Sequence, residues 1–151
     1  MTKDGTAALA RTAVGLVLLA SGIHKLFAAP EEFAAVIEKY MIIGGEGALL
    51  AAAQAMPLAE VALGLAMVLG WRVRAACAGS GALFGIFLTA LASTKLRGIA
   101  LEDCGCFGKG VHIPPHWTMA LDSVLIALSY WGWTRPTAGA WLDGWVERGT
   151  P

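Results

Sequence analysis

Residues Ala7 to Phe27 read AALARTAVGLVLLASGIHKLF, an apolar run interrupted only by Arg11 near its start and His24-Lys25 near its end. That is about the 20 residues an α-helix needs to cross the hydrocarbon core of a bilayer. A cleaved signal peptide is the rival reading, because Lys3 is basic and the small pair Ala28-Ala29 follows; against it, His24 and Lys25 would stand just before the cleavage point. The run is therefore expected to stay as a first transmembrane helix.

The remainder of the chain repeats the pattern. Of 151 residues, 57% are hydrophobic and 15% charged, a skew unusual for a soluble domain of this size. Residues 47–71 form a second apolar run broken only by Gln54, Pro57 and Glu60, residues 73–94 a third, and residues 117–133 a fourth with Asp122 inside it. Between the first two, Pro30, Glu31 and Glu32 suit a first helical turn, and Phe33, Val36, Ile37 and Tyr40 fall on one face. That predicts a short helix lying at the membrane surface. Cys77, Gly81 and Gly85 recur every four residues, a small-residue stripe expected to be a packing face in the third span. The chain is thus read as a single all-α domain over 1–151: an integral membrane four-helix bundle with a short interfacial helix between its first two spans. Residues Trp141, Leu142, Trp145 and Val146 recur at helical spacing in the tail.

Orientation follows from the positive residues near span ends. The tight turn Trp71-Arg72-Val73-Arg74, with Lys3, Arg11 and Arg135, places both termini in the cytoplasm. The polar stretch 95–116 then faces the periplasm or exterior, where disulfides persist. The formal net charge is zero with no basic block, which excludes a nucleic-acid surface.

Glu102-Asp103-Cys104-Gly105-Cys106-Phe107-Gly108 is the chemical centre of that stretch. Cys104 and Cys106 can close a small ring, with Gly105 supplying backbone freedom, and strained exposed disulfides are the exchangeable ones. The plainer reading is a static disulfide or two free thiols that only shape the loop. A crosslink over so few residues adds little stability, which favours exchange. Cys104, Cys106, His112 and His116 also offer two thiolates and two imidazoles, a donor set suited to zinc or copper, although Cys-x-Cys is tighter than usual structural-zinc spacing. Cys77, at the cytoplasmic end of its helix, is expected on the order of 25–30 Å from the pair and reads as a buried small residue.

Ionisable residues inside spans are costly and by default functional. Glu60 stands out, one turn after Pro57 and one turn before Gly64, with Lys25 or His24 as partner or with a proton to carry. A carboxyl that merely fixes helix packing is the equal alternative. Asp122 lies a turn or so below the outer surface.

These residues resemble a known family, the DoxX-like superfamily and within it the MauE group of redox-associated membrane proteins. The resemblance is carried by Ser21-Gly22-Ile23-His24-Lys25-Leu26, Tyr40, Pro57-x-x-Glu60-x-x-x-Gly64, Arg97-Gly98 followed by Cys104-Gly105-Cys106-Phe107-Gly108, and Trp117. The family pattern places an arginine beside the acidic residue of the last span; here Leu121 precedes Asp122, so no ion pair is carried over there. The resemblance implies a multi-pass bacterial inner-membrane protein that supports maturation of a disulfide-rich client, the small subunit of methylamine dehydrogenase, beside a thioredoxin-like periplasmic protein. It implies Cys104 and Cys106 as the exchanging pair, with Glu60, Lys25 and Asp122 shaping the bundle or a cofactor pocket. Quinone-linked subunits occur in the superfamily, which makes a quinone the cofactor to consider. A non-enzymatic assembly or metal-handling subunit built on Cys104, Cys106, His112 and His116 is the competing expectation, and a small-solute carrier the third.

Overall fold

A computed structural model describes residues 3–99 and 114–135, and every helix or strand within them is an α-helix. In chain order these are α1 (Lys3–Phe27), α2 (Pro30–Lys39), α3 (Glu46–Leu69), α4 (Val73–Leu96) and α5 (Pro115–Thr134). The four apolar runs coincide with the helices α1, α3, α4 and α5 to within a few residues at each end.

The breaks have local causes. Ala29 precedes Pro30 and is extended, since a following proline disfavours the helical region. Pro30 then opens α2, with Glu31 and Glu32 in its first turn and Lys39 in its last, each charge complementing the helix dipole. Gly70, in the left-handed region, closes α3, and Arg72 adopts the same region although it has a side chain, so α4 starts within a very short turn. At the far end of α4, Gly98 is left-handed while the Ile99 amide donates to Thr94 O and the Gly98 amide to Lys95 O, the pairing that satisfies the last carbonyls of a helix.

Helices α1, α3 and α4 are each long and apolar enough to cross a membrane. Large apolar side chains such as Leu9, Leu16, Leu58, Leu65, Leu69 and Ile86 face outward on them, a surface suited to lipid. The chain is a membrane protein. Helix α5 is long enough, at 20 residues, but stands outside that group by composition, with Asp122, Ser123 and Ser129 within its apolar run.

The long helices touch in a closed ring. Contacts are most extensive between α1 and α3 and between α4 and α5, and narrower between α1 and α5 and between α3 and α4. Val14, Leu18, Met67, Val73, Ala76, Cys77, Phe84 and Leu125 form the interior. Of the apolar face expected on α2, Phe33 and Ile37 pack, together with Ala34, on Leu49, Leu50 and Ala53 of α3.

Close backbone approach occurs where α1 crosses α3. A Cβ at Gly64 would lie 2.8 Å from Gly15 O, and one at Gly22 would lie 2.9 Å from Pro57 O and from Glu60 Cβ. The stripe on α4 is only partly a packing face. Cys77 abuts Gly132 and Gly81 reaches Ser129 at ordinary contact distance, whereas a Cβ at Gly85 would meet no described atom within 4 Å.

Candidate functional site

Ser21 and Lys25 are one helical turn apart on α1, so they share a face, and Gly22 between them lets that face come down onto α3 at Glu60. Glu60 is wholly inaccessible and Lys25 nearly so. The Lys25 Nζ donates to Glu60 Oε1 at 2.5 Å, and the Ser21 hydroxyl donates to Oε2 at 3.0 Å. Both carboxylate oxygens are thus occupied, the condition under which a charge pair survives in a low-dielectric interior. Of the two partners expected for Glu60, Lys25 takes the place and His24 points outward.

The ammonium also lies 4.9 Å from the centroid of the Phe33 ring and 5.3 Å from that of Phe87. At such distances the ring faces attract a cation and replace part of its lost hydration. Helices α2 and α4 therefore join α1 and α3 around one charge.

Two cavities meet at this pair. The larger, about 120 Å³, has Lys25 as its single charged wall; Phe33, Ile37, Met56, Ile86 and Phe87 are among its apolar lining, and Tyr40 also borders it. Its rim is held from outside. Arg97, just past the end of α4, donates to Tyr40 O at 2.6 Å and to Met41 O at 3.0 Å, fixing the residues that follow α2. The smaller cavity, about 20 Å³, lies between Ser21, Glu60, Thr118 and Asp122, with Phe84, Phe87 and Leu125 closing it. It has room for one water and enough polar wall to hold it. The structure thus brings Glu60, Lys25 and Asp122 into one neighbourhood, with Asp122 buried on α5 across the small cavity from Glu60.

Cys104, Cys106 and His112 lie outside the described residues. His116 is exposed at the start of α5, its ring 5.8 Å from that of Trp117. Cys77 is buried and free, its thiol 3.6 Å from the Met67 sulfur. It is the interior residue expected of it.

Several members of the site were not singled out as such from sequence. Ser21 and Arg97 appear only within quoted motifs, and Phe33 only as part of an apolar face. Phe87 gave no signal at all. Arg11, read as a charge at the edge of the first span, is buried in the structure.

The sequence comparisons bear on the same residues. A family model described as "Methylamine utilisation protein MauE" matches residues 3–135. A methylamine utilization protein MauE of Paracoccus denitrificans is 29% identical over 116 residues, 77% of this chain and 61% of that protein. Its counterpart in Paracoccus versutus is 30% identical over 100 residues, 66% of this chain and 53% of that protein. The chain thus matches little more than half the length of these relatives. No solved structure matches it. With every described residue under the family model, and the Lys25–Glu60 pair and the Arg97 clamp inside the matched range, this protein belongs to the MauE family of methylamine utilisation proteins.

Proposed function

We propose that this protein is a thiol–disulfide redox protein of the bacterial inner membrane, in which Cys104 and Cys106 exchange a disulfide with an extracytoplasmic thiol protein. The observation that carries the reading is the Cys104-Gly105-Cys106 pair itself, in a polar stretch between two apolar helices of a membrane protein. In this reading α1, α3, α4 and α5 all span as a four-helix bundle of the DoxX-like kind. The apolar face of α2 packs near the outer surface, and both termini are cytoplasmic. The relatives are named for methylamine utilisation; a disulfide-rich client in that process, the small subunit of methylamine dehydrogenase, and a thioredoxin-like periplasmic partner complete the proposal.

The chemistry balances simply. Oxidation of a client dithiol to a disulfide reduces the Cys104–Cys106 disulfide to two thiols, by thiolate attack through a mixed disulfide. The two electrons and two protons then leave to the thioredoxin-like partner or to a quinone. Glu60, Lys25 and Asp122 do not exchange electrons here; they shape the interior and its cofactor pocket.

The test is a count of alkylatable thiols in the purified protein across a series of glutathione redox buffers. Two thiols that appear and disappear together, and that are absent from Cys104→Ser with Cys106→Ser, support exchange. Cysteines that never change state sink it. The exposed ring of His116 keeps a metal-handling reading in view, with Cys104, Cys106, His112 and His116 as ligands; stoichiometric zinc or copper lost on His112→Ala would favour that one.

A further inference from the structure

Three properties of the chamber beside Lys25 describe a ligand. Its volume, about 120 Å³, is close to that of apolar cavities of about 150 Å³ that stay dry and accept a benzene ring. Its wall is aliphatic and aromatic except at the Tyr40 hydroxyl and one charged point, so water within it has little to bond. That point is the Lys25 ammonium, which has three N–H donors. Among the described residues Glu60 alone accepts a hydrogen bond from it, and its remaining neighbours are the faces of Phe33 and Phe87. A nearly inaccessible cation with donors to spare therefore borders a mostly apolar, ring-sized space that is partly open to the outside.

Charge fixes the class further. Glu60 already neutralises Lys25, so an anionic ligand would bring an uncompensated charge into an apolar wall. A neutral molecule with one acceptor oxygen meets no such penalty.

The geometry points to a binding site for one neutral lipophilic ring bearing a carbonyl oxygen, the oxygen accepting an N–H of Lys25 and the ring lying against Phe33, Met56 and Phe87. A quinone head has this chemistry. Its choice over other ring carbonyls rests on the redox reading above, which needs a membrane-soluble two-electron acceptor. An acyl ester offers the carbonyl without the ring. Because Arg97 holds the backbone at Tyr40 and Met41, the rim of the chamber is set before any ligand arrives.

The experiment is calorimetric titration of the full-length protein in detergent micelles with three probes: a decyl-benzoquinone, decylbenzene and methyl decanoate. The quinone is expected to bind one to one and about tenfold or more tightly than either control, the ratio a hydrogen bond from a charged donor supplies. Ile86→Trp, at an outward-facing position beside the chamber, should fill it and abolish binding while leaving the far-ultraviolet circular dichroism unchanged. Lys25→Met combined with Glu60→Met, which strands no charge, should bind the quinone and decylbenzene equally. Equal affinity for all three probes in the native protein, tightest binding of methyl decanoate, or binding undiminished by Ile86→Trp each overturns the site. Quinone binding retained by Cys104→Ser with Cys106→Ser, in a protein whose native cysteines never change state, defeats the exchange reading and leaves the ring site standing.

Discussion

Replacing Lys25 by methionine leaves the Glu60 carboxylate inaccessible, with the Ser21 hydroxyl its remaining hydrogen-bond donor among the described residues. Breaking a buried pair in this way costs about 3–5 kcal/mol. Three features of the site oppose relaxation and place the cost in the upper half of that range. Gly22 seats the α1 backbone against Pro57 O and Glu60 Cβ, so the helices have little freedom to part and admit water. Phe33 and Phe87 cover the lysine side where the larger, mostly apolar cavity lies, and the smaller cavity beside Glu60 has room for about one water. Glu60→Met strands the ammonium instead and should cost a similar amount. The double variant, Lys25→Met with Glu60→Met, removes both charges and fills the space with apolar side chains, which is often neutral or stabilising. It should therefore be more stable than either single variant by about 3 kcal/mol or more. Reversible unfolding in mixed micelles by added dodecyl sulfate, followed by circular dichroism, measures all four proteins. Losses below about 1 kcal/mol in the single variants, the range of exposed pairs, or a double variant no more stable than the singles, would refute the buried-pair account.

The same unfolding assay tests the helix crossing. Gly64→Ala sets a methyl 2.8 Å from the Gly15 carbonyl oxygen and should destabilise by about 1–3 kcal/mol. Gly85→Ala meets no described atom within 4 Å and should stabilise by about 0.5–1 kcal/mol, the ordinary helix gain; the reverse order of stability contradicts the α1–α3 seam. Arg97→Ala releases the carbonyls of Tyr40 and Met41, so trypsin cleavage after exposed Lys39 should accelerate several-fold, and an unchanged rate argues against the clamp. Cys77 should resist a polar maleimide in the native protein and react after denaturation; rapid native labelling would show it is not interior.

The helices were legible because the membrane imposes a length on them. Residues 7–27, 47–71 and 73–94 each carry an apolar run near the bilayer thickness, and each became a helix long and apolar enough to span. Lys25 and Glu60 were legible for the complementary reason, that an ionisable group inside a span needs a partner. What escaped depends on relative helix rotation. A carboxylate on α3 with a serine from α1, and a lysine with aromatic rings from α2 and α4, come together only after four helices have chosen their faces. Gly85 shows the same limit from the other side, since its spacing from Gly81 is that of a packing stripe and its position on α4 faces no close neighbour. Asp122 and the serines of α5 pull against the tryptophans and leucines around them, so its sequence alone does not decide whether that helix spans.

The uneven ring of helix contacts divides the long helices into two closely packed pairs, α1 with α3 and α4 with α5, joined along narrower borders. Lys25 and Glu60 belong to the first pair, Phe87 and Asp122 to the second, and both cavities are bounded from both sides. Both of these volumes thus lie where the pairs meet, so a ligand in the ring-sized chamber would touch both helix pairs at once. In sequence, Cys104 and Cys106 fall between α4 and α5, the two helices of the second pair.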